Sequence, residues 1–356
     1  EVGLMVEEHA EVVVILGNSN SRFSGVTSTM LQTMSVQRSV IPLKVLGKYH
    51  MPDASLSISF FQAIRLLRSP LTCGKPRIFH ARRNNEMIQA LLLKHLFGCE
   101  MKILFTSTAQ RHHSRFSRWL MGKMDAVIST CDAAASYLRF KPQAIVPHGI
   151  DSEIYQPRDN KQEALKSIGV ITPKCIGIFG RVRAQKGVDL FVEACLQVLP
   201  KLPEYSAVIV GAEEGREREW LASLASKVQA AGLSDRVLFL GEQKFEQVPI
   251  IMSAMTLIAA LSRTEGFGLT VLESMSCAVP VIATEAGAWP EVVREGVDGY
   301  VIPVGDLAAL VSRLSHLLAD EVSLVEMGAQ ARTRVLEKYT IEREATRLVE
   351  IYRSLQ

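Results

Sequence analysis

The sequence has no apolar run of about 18 residues, so no stretch of it is long enough to cross a bilayer as a helix. No signal-peptide pattern stands at its start, and the expectation is a cytoplasmic protein, soluble or peripheral on the inner face of the membrane. Six cysteines (Cys73, Cys99, Cys131, Cys175, Cys195 and Cys277) are scattered with no Cys-x-x-Cys pair and no nearby histidine spacing. That speaks against a zinc site and a disulfide framework, and for a reducing compartment. Neither G-x-G-x-x-G nor G-x-x-x-x-G-K-[ST] occurs, which removes the main support for a dehydrogenase or a P-loop enzyme. There is no Asp-x-Asp pair to hold a divalent metal and no aromatic stacking array for nucleic acid.

What is present suggests two domains, the natural prior for 356 residues, and 48% apolar content is ample for burial. The net charge of +3 hides an asymmetry. Residues 1–150 carry 18 Lys+Arg against 9 Asp+Glu, and the remainder 22 against 28. A basic half beside an acidic half implies that the first domain meets something anionic; the bland reading is chance and solvated faces.

Short apolar runs alternate with helical patterns along the whole chain. In the first half, "AEVVVILG", "SVIPLKVLG", "PRIFHARR", "MKILFTST", "MDAVISTC" and "QAIVPHG" read as strands. "SGVTSTMLQTM", "SLSISFFQAIRLLRS" and "NEMIQALLLKHLFG" read as helices. The polar, Pro-containing "DSEIYQPRDNKQEALKSIG" reads as a linker, after which "KCIGIFGRV", "YSAVIVG", "DRVLFLG", "TLIAALS" and "PVIATE" restart the rhythm. Such alternation implies parallel sheets, and hence an α/β protein of two doubly wound, Rossmann-like domains facing across a cleft. The expected divisions are 1–152, a linker 153–169, 170–338, and a helix 339–356.

In such sheets ligands bind beyond the carboxyl ends of the strands. "SRFSGVTST" and "GIFGRVRAQKG" stand where phosphate-binding turns would be. In the second, Arg181 and Lys186 follow a strand and precede a helix. A guanidinium fork and an ammonium suit a diphosphate, each charge pair being worth roughly 4 kcal/mol before desolvation at about 4 Å; a basic loop in solvent is the alternative. "RTEGFGLTVLES" places Glu265 before a Gly-Phe-Gly turn and Glu273 eight positions later. If a helix begins near Leu269, its unpaired N–H groups favour an anion at the turn. Each carboxylate can accept from a vicinal diol, so the pair fits a ligand ordered sugar, phosphate, sugar: a nucleotide sugar. Glu273 can equally be a residue that only favours the helix start.

"EGFGLTVLE" resembles the signature of the GT-B-fold retaining glycosyltransferases of family 4. "GRVRAQKG", "VPHGIDSEIYQP", "GAWPEVVREGVDGYVIPVGD" and "VLFLGEQ" match as well, covering about residues 145–340. "SRFSGVTSTM" and "LFTSTAQRHH" look like bacterial lipopolysaccharide-core mannosyltransferases. The resemblance implies that Arg181 and Lys186 hold the donor diphosphate. Glu265 would meet hydroxyls of the transferred sugar, with the N–H groups of Gly266, Phe267 and Gly268 close by. Glu273 would hold the ribose, Gly25 would admit the donor from the other domain, the base would rest near Gly241 to Lys244, and the helix 339–356 would cross back to the first domain. Relatives carry a T-x-H histidine that touches the sugar; here Thr108 occupies that place, with His112 or His113 further on. The usual "NG" before the linker is "HG", and His148 either lines the cleft or is structural. The mechanism implied is front-face transfer of a hexose with retention. The donor expected is GDP-mannose, and no metal or other cofactor is expected.

The acceptor side is expected in the basic half. "QRHHSRFSRWLMGKM" sets Arg111, Arg115, Arg118 and Lys123 among Phe116, Trp119, Leu120 and Met121, a pattern found on proteins at anionic membrane surfaces. An ordinary surface helix with its apolar side in the core is the alternative. Arg82, Arg83, Asn84 and Asn85 close a strand and suit an acidic sugar. Together these features point to an anionic lipid-linked acceptor such as the Kdo-bearing inner core of lipopolysaccharide, and not to nucleic acid. An epimerase or hydrolase of the same fold, and a non-catalytic donor-binding scaffold, remain open from the residues alone.

Overall fold

The computed structural model describes residues 11–21, 24–213 and 215–356. Arg22 and Phe23 of the first phosphate-turn candidate, and Ala10 of the first expected strand, lie outside the described residues. The elements run β1 (Val14–Gly17), α1 (Gly25–Gln37), β2 (Leu43–Leu46), β3 (Ser57–Ile58), α2 (Phe60–Leu67), β4 (Arg77–Ala81) and α3 (Asn84–Leu91). Then come β5 (Met101–Ser107), α4 (Arg115–Met121), β6 (Ala126–Ser129), α5 (Asp132–Ala135), α6 (Lys161–Ser167), β7 (Lys174–Phe179), α7 (Val188–Val198) and β8 (Tyr205–Val210). The chain continues through α8 (Arg218–Ala230), β9 (Val237–Gly241), α9 (Val248–Ala254), β10 (Leu257–Ala260), α10 (Leu269–Ser276), β11 (Val281–Thr284) and α11 (Trp289–Val292). It ends with β12 (Gly299–Ile302), α12 (Leu307–Leu318), α13 (Glu321–Lys338) and α14 (Ile341–Leu355).

The chain divides into two compact units. One ends at Gly149 and takes in Ile341–Gln356; the other is Ile150–Thr340. The first holds a six-stranded sheet in the order β3-β2-β1-β4-β5-β6, and the second one in the order β12-β11-β10-β7-β8-β9. All the pairings are parallel. Numbered within its own unit, each sheet has the same doubly wound order. The direction of winding reverses between β1 and β4 in one and between β7 and β10 in the other, which opens a crevice at the carboxyl ends of those strands.

Strand side chains point alternately to the two faces of a sheet, and in the first unit both faces are covered. Ile15, Phe79, Ile103 and Phe105 join Met87 of α3 and Leu120 of α4 on one side. Val14, Leu16, Ile78 and Leu104 join Met30 of α1 and Leu348 and Tyr352 of α14 on the other. The second unit gathers Ile176, Ile178, Ala207, Ile209 and Ala259 with Phe191 of α7 and Leu314 of α12.

Four expectations need correction. "SLSISFFQAIRLLRS" is helical only from Phe60: Ser59 and Gln62 form a capping box there, and Ser57–Ile58 pairs with β2 as an edge strand. "QAIVPHG" runs beside β6 without becoming a full strand: Gln143 N donates to Val127 O, Ser129 N to Ala144 O and Val146 N to Ser129 O, which makes a single bridge at Ile145, and Pro147 has no N–H with which to extend it. "GYVI" is a strand that the sequence pattern did not separate from its surroundings. The expected linker is folded into the second unit, where Tyr155 is buried and α6 buries Ala164 and Leu165.

α14 is fastened to the first unit by polar groups as well as packing. The Tyr352 hydroxyl bonds His80 Nδ1 at 2.7 Å and accepts from Gln37 Nε2 at 3.3 Å, while His80 Nε2 bonds Thr106 Oγ1 at 2.7 Å. Complete burial, together with the Arg82 charge, holds the His80 imidazole well below its ordinary pKa, so it bridges as a neutral ring. Tyr352→Phe keeps the ring and removes the hydroxyl, leaving His80 and Gln37 short of a buried partner. We expect a loss of about 1–3 kcal/mol in urea unfolding; a midpoint equal to the parent's would show that the bridge adds nothing.

Candidate functional site

At the reversal point of the second sheet, the loop after β7 and the loop after β10 are joined to each other. Lys186 forms an ion pair with Glu265 Oε2, and Gln185 donates to the Thr264 carbonyl. Arg263 N donates to Gln185 O at 2.8 Å, and the Arg263 guanidinium makes a two-pronged pair with Asp189 of α7 at 3.1 and 2.8 Å. The Lys186 and Glu265 side chains keep 20% and 18% of their surface exposed, so the pair lies within reach of a solute. Arg181 is exposed at the start of the same loop.

Glu265 is aimed by its neighbours. Ser262 Oγ donates to Glu265 Oε2 at 3.1 Å, and Thr284 Oγ1, at the end of β11, donates to the Ser262 carbonyl at 2.7 Å. The Gly-Phe-Gly turn is held from the other side. Phe267 is buried, its carbonyl accepts from Ala288 N at 3.1 Å, and Trp289 Nε1 donates to Gly268 O at 2.8 Å. Gly268 has φ +87°, and a Cβ there would lie 2.3 Å from Trp289 Nε1 and 2.8 Å from Glu265 Cγ. Only glycine fits both the backbone and the space. Beyond the turn, α10 begins at Leu269 and presents its first N–H groups.

Glu273, one turn into α10, is partly buried and takes a hydrogen bond from the Tyr155 hydroxyl. Burial pushes its carboxyl up to about 7, against the pull of that hydroxyl and of the Lys186 charge. Tyr155 is itself fixed, its carbonyl accepting from Ser276 Oγ at 2.5 Å and from Arg332 at 3.3 Å. Sequence reasoning assigned no role to Tyr155, Ser262 or Arg263. An aromatic inside the polar "DSEIYQP" was the one available signal for the first.

In the first unit the expected acceptor residues are placed unevenly. Glu86, fully buried in the first turn of α3, accepts from the backbone N–H of Arg82 at 2.7 Å and of Arg83 at 3.2 Å, from Arg83 Nη1 at 2.9 Å and from Ser19 Oγ at 3.4 Å. Arg83 Nη2 donates to Ser24 Oγ at 3.0 Å and Thr27 Oγ1 at 2.8 Å, at the start of α1. Both terminal nitrogens of Arg83 are thus engaged inside the fold, and the side chain acts as a strut between α3 and α1. Asn84 donates to Ser117 Oγ of α4 at 2.7 Å. His148 bonds Glu344 of α14 at 2.8 Å and Gly149 N donates to the other oxygen at 2.8 Å, so this histidine is a structural one. Arg82 differs: its Nη1 is buried and has no hydrogen-bond partner among the described residues. Thr108 is partly buried just past β5, His113 Nε2 bonds Ser107 Oγ at 3.3 Å, and His112 is exposed with its ring edge-on to Tyr137. A Cβ at Gly25 would meet nothing within 4 Å, so the start of α1 is open there.

Together, the second unit offers a cation that solvent reaches, a carboxylate beside the Gly-Phe-Gly turn at the head of α10, and a second carboxylate whose proton comes off near neutrality. Among the described residues no group of three or more His, Cys, Asp or Glu is placed to hold a metal ion, and no helix is long and apolar enough to cross a membrane. Gly268→Ala should push Trp289 and Glu265 apart, lower stability by about 1–3 kcal/mol, and cut activity by a larger factor than the loss of folded protein explains. Parental activity in the folded fraction of this variant would show that the turn does not position Glu265.

The family model for glycosyl transferases group 1 matches residues 160–334. The lipopolysaccharide core biosynthesis mannosyltransferase LpsB of Rhizobium meliloti (strain 1021) is 40% identical over 350 residues, covering 97% of this chain and 98% of that one. LpcC of Rhizobium leguminosarum bv. viciae, with the same description, is 39% identical over 346 residues and 97% of each chain. Among solved structures, Anabaena Alr3699/HepE in complex with UDP superposes with a TM-score of 0.79 over 96% of this chain and all of the other at 18% identity, a likeness of fold. Two six-stranded, doubly wound units make this the GT-B fold, and the chain belongs to the group 1 glycosyltransferases.

Proposed function

We propose that the protein transfers mannose from GDP-mannose to an anionic, lipid-linked acceptor, the Kdo-bearing inner core of lipopolysaccharide, working as a peripheral protein on the inner face of the cytoplasmic membrane. The observation that carries this reading is the near-full-length 40% identity to a relative named as a lipopolysaccharide core mannosyltransferase. The second unit's geometry supports the donor half. The diphosphate takes Lys186 from Glu265 and adds Arg181, while Gly266, Phe267 and Gly268 offer N–H groups. The released Glu265 accepts from hydroxyls of the transferred sugar, and Glu273 accepts from the ribose diol.

The reaction proceeds with retention, on one face of the sugar. As the bond from the anomeric carbon to the phosphate oxygen breaks, the acceptor oxygen bonds to that carbon from the same side and its proton passes to the departing phosphate. Charge on the leaving group is met by fixed cations and N–H groups, in keeping with the lack of an Asp-x-Asp pair in the sequence. Arg83, Asn84 and His148 bond to groups of the first unit, so on this reading Arg82, Thr108, His112 and His113 are the residues that meet the acceptor.

Three measurements test this. In a thermal-shift screen GDP and GDP-mannose should stabilise the protein more than UDP, ADP or their sugars; a preference for another base overturns the donor assignment. Lys186→Ala and Glu273→Ala should each lower turnover by on the order of 10²-fold or more, and parental rates at saturating donor would remove these residues from the site. The third is pH dependence. The unfolded chain releases the Glu273 proton near 4.5, whereas the folded protein holds it to about 7. The ligand-free protein should therefore lose stability as pH rises from about 4.5 to about 7, by on the order of 3 kcal/mol. Nucleotide affinity should fall as pH drops below about 7, because the diol needs the ionised form. Glu273→Gln should flatten both profiles, and an unchanged slope in that variant refutes the assignment.

A further inference from the structure

A groove of about 520 Å³ runs along the outside of the first unit, between α3 with its continuation and α4. Its making is readable in the chain. After Leu91 the helix passes into a π turn, Leu92–Leu96, in which Phe97 N reaches back five residues to Leu92 O at 3.2 Å. The change of period keeps Leu93 in the core and leaves Leu92 42% and Leu96 70% exposed. α4 divides in the same manner. Leu120 and Met121 enter the core, while Phe116 and Trp119 stay 53% and 56% exposed with their rings stacked at 6.0 Å. The core thus accounts for one apolar side of α4 and not for the aromatic one.

The charges around this apolar strip are of one sign. Residues 110–124 contain four cations, Arg111, Arg115, Arg118 and Lys123, and no carboxylate. Residues 84–98 contain one carboxylate, Glu86, which is fully buried. The next acids along are Glu100, exposed just ahead of β5, and Asp125, which is paired with Lys94 at 2.7 Å and Lys102 at 3.5 Å. Lys123 lines the groove itself and Arg115 is exposed at the head of α4.

We infer that this strip is where the protein docks on an anionic lipid bilayer, Phe116, Trp119, Leu92 and Leu96 entering the headgroup–acyl boundary and Arg115, Lys123 and Arg111 meeting lipid phosphates. The inference rests on the lipid-linked acceptor proposed above and gives that reading a surface. An aromatic pair flanked by Arg and Lys is the composition of interfacial anchors, and a contiguous exposed apolar strip is uncommon on a protein that stays in water. A second copy of the chain fits poorly, since a two-fold contact would set each basic rim against its own image. Nucleic acid would meet the cations but find an apolar floor.

The test uses the full chain with two kinds of vesicle, phosphatidylcholine alone and an equimolar mixture of phosphatidylcholine and phosphatidylglycerol. We expect co-sedimentation with the anionic vesicles, weakened by salt, and a blue shift of tryptophan emission that Trp119→Ser abolishes. Phe116→Ser combined with Trp119→Ser should weaken binding on the order of tenfold, and Arg115→Gln or Lys123→Gln roughly fivefold each. All should keep the parental thermal midpoint. Parental vesicle binding in the aromatic double variant, equal binding to both vesicle types, or a dimer that these variants dissociate with no effect on sedimentation would each overturn the proposal. Transfer to a water-soluble, deacylated acceptor separates the two readings. The variants should match the parent there and fall behind only with acceptor embedded in vesicles. A parent that binds vesicles yet transfers to neither acceptor leaves the docking surface standing and removes the proposed function.

Discussion

The ion pair between Lys186 and Glu265 joins the two loops that a doubly wound sheet necessarily separates. Where the winding reverses, the helices after β7 and β10 leave toward opposite faces, and their loops part to form the crevice. Some bond must span it for either loop to be held. Here the span is a cation and a carboxylate with about a fifth of their surface exposed, backed by the Arg263–Asp189 pair and the Gln185–Thr264 bond. Solvent still reaches both groups, so the pair is partly screened, and a phosphate that replaces Glu265 beside Lys186 leaves the freed carboxylate open to water and to the Ser262 hydroxyl. A fully buried pair would resist such an exchange, because one charge would be stranded without a partner. The same contact can therefore hold the empty site together and give way to a ligand.

The first unit illustrates the other solution to the same topological problem. Its reversal point, between β1 and β4, is also spanned by a carboxylate and a cation. There, however, Glu86 is fully buried, and the carboxylate and Arg83 take their partners from Ser19, Ser24, Thr27 and two backbone N–H groups. A Cβ on Gly17 would lie 2.9 Å from the Glu86 side chain, so the strand end and the carboxylate are fitted to each other. The carboxylate has no surface left for a solute, and both terminal nitrogens of Arg83 are engaged with groups of the fold. One fold used twice thus provides one adaptable crevice and one rigid one, and the ligand-binding character lies in the loop chemistry, not in the topology.

Much of this was legible in the sequence, for a definable reason. Parallel strands buried on both faces read as continuous apolar runs, and "VVVILG", "KCIGIF" and "YSAVIV" were located by that alone. Glu265 and Lys186 stand out because charge in a turn between a strand and a helix has few structural uses, and Glu273 by its place eight residues after Glu265, across the Gly-Phe-Gly turn. The errors have a common physical origin. Ser57–Ile58 and Gly299–Ile302 are edge strands too short to show a period, and "QAIVPHG" bonds to β6 only as far as Val146, where Pro147, lacking an N–H, ends the pairing. Arg83 and His148 looked functional by residue type, and the partners that commit them, Ser24 and Glu344, are 59 and 196 residues away. Tyr155 was taken for linker because its neighbours in sequence are polar, while its neighbours in space are Glu273 and Ser276. Local pattern reports an element's own burial; it cannot report which distant group completes a hydrogen bond.

The excess of positive charge in the first half shows the same distinction. Part of it is internal: Arg77 donates to the Val12 carbonyl at 2.9 Å, Arg83 is locked to Glu86, and Lys94 and Lys102 share Asp125. These cations stitch loops and strand ends, and they would be needed whatever the protein met. A tally of residues counts them equally with Arg111, Arg115 and Lys123, which are exposed and lie in sequence beside Phe116 and Trp119. Once the internal cations are set aside, what distinguishes the unit is a short basic border on an apolar strip and not a diffuse positive field. A diffuse field would attract any polyanion at long range and fade over a Debye length. A border on an apolar strip selects a partner that is charged at its surface and oily just beneath, because only that arrangement satisfies the cations and the aromatics together.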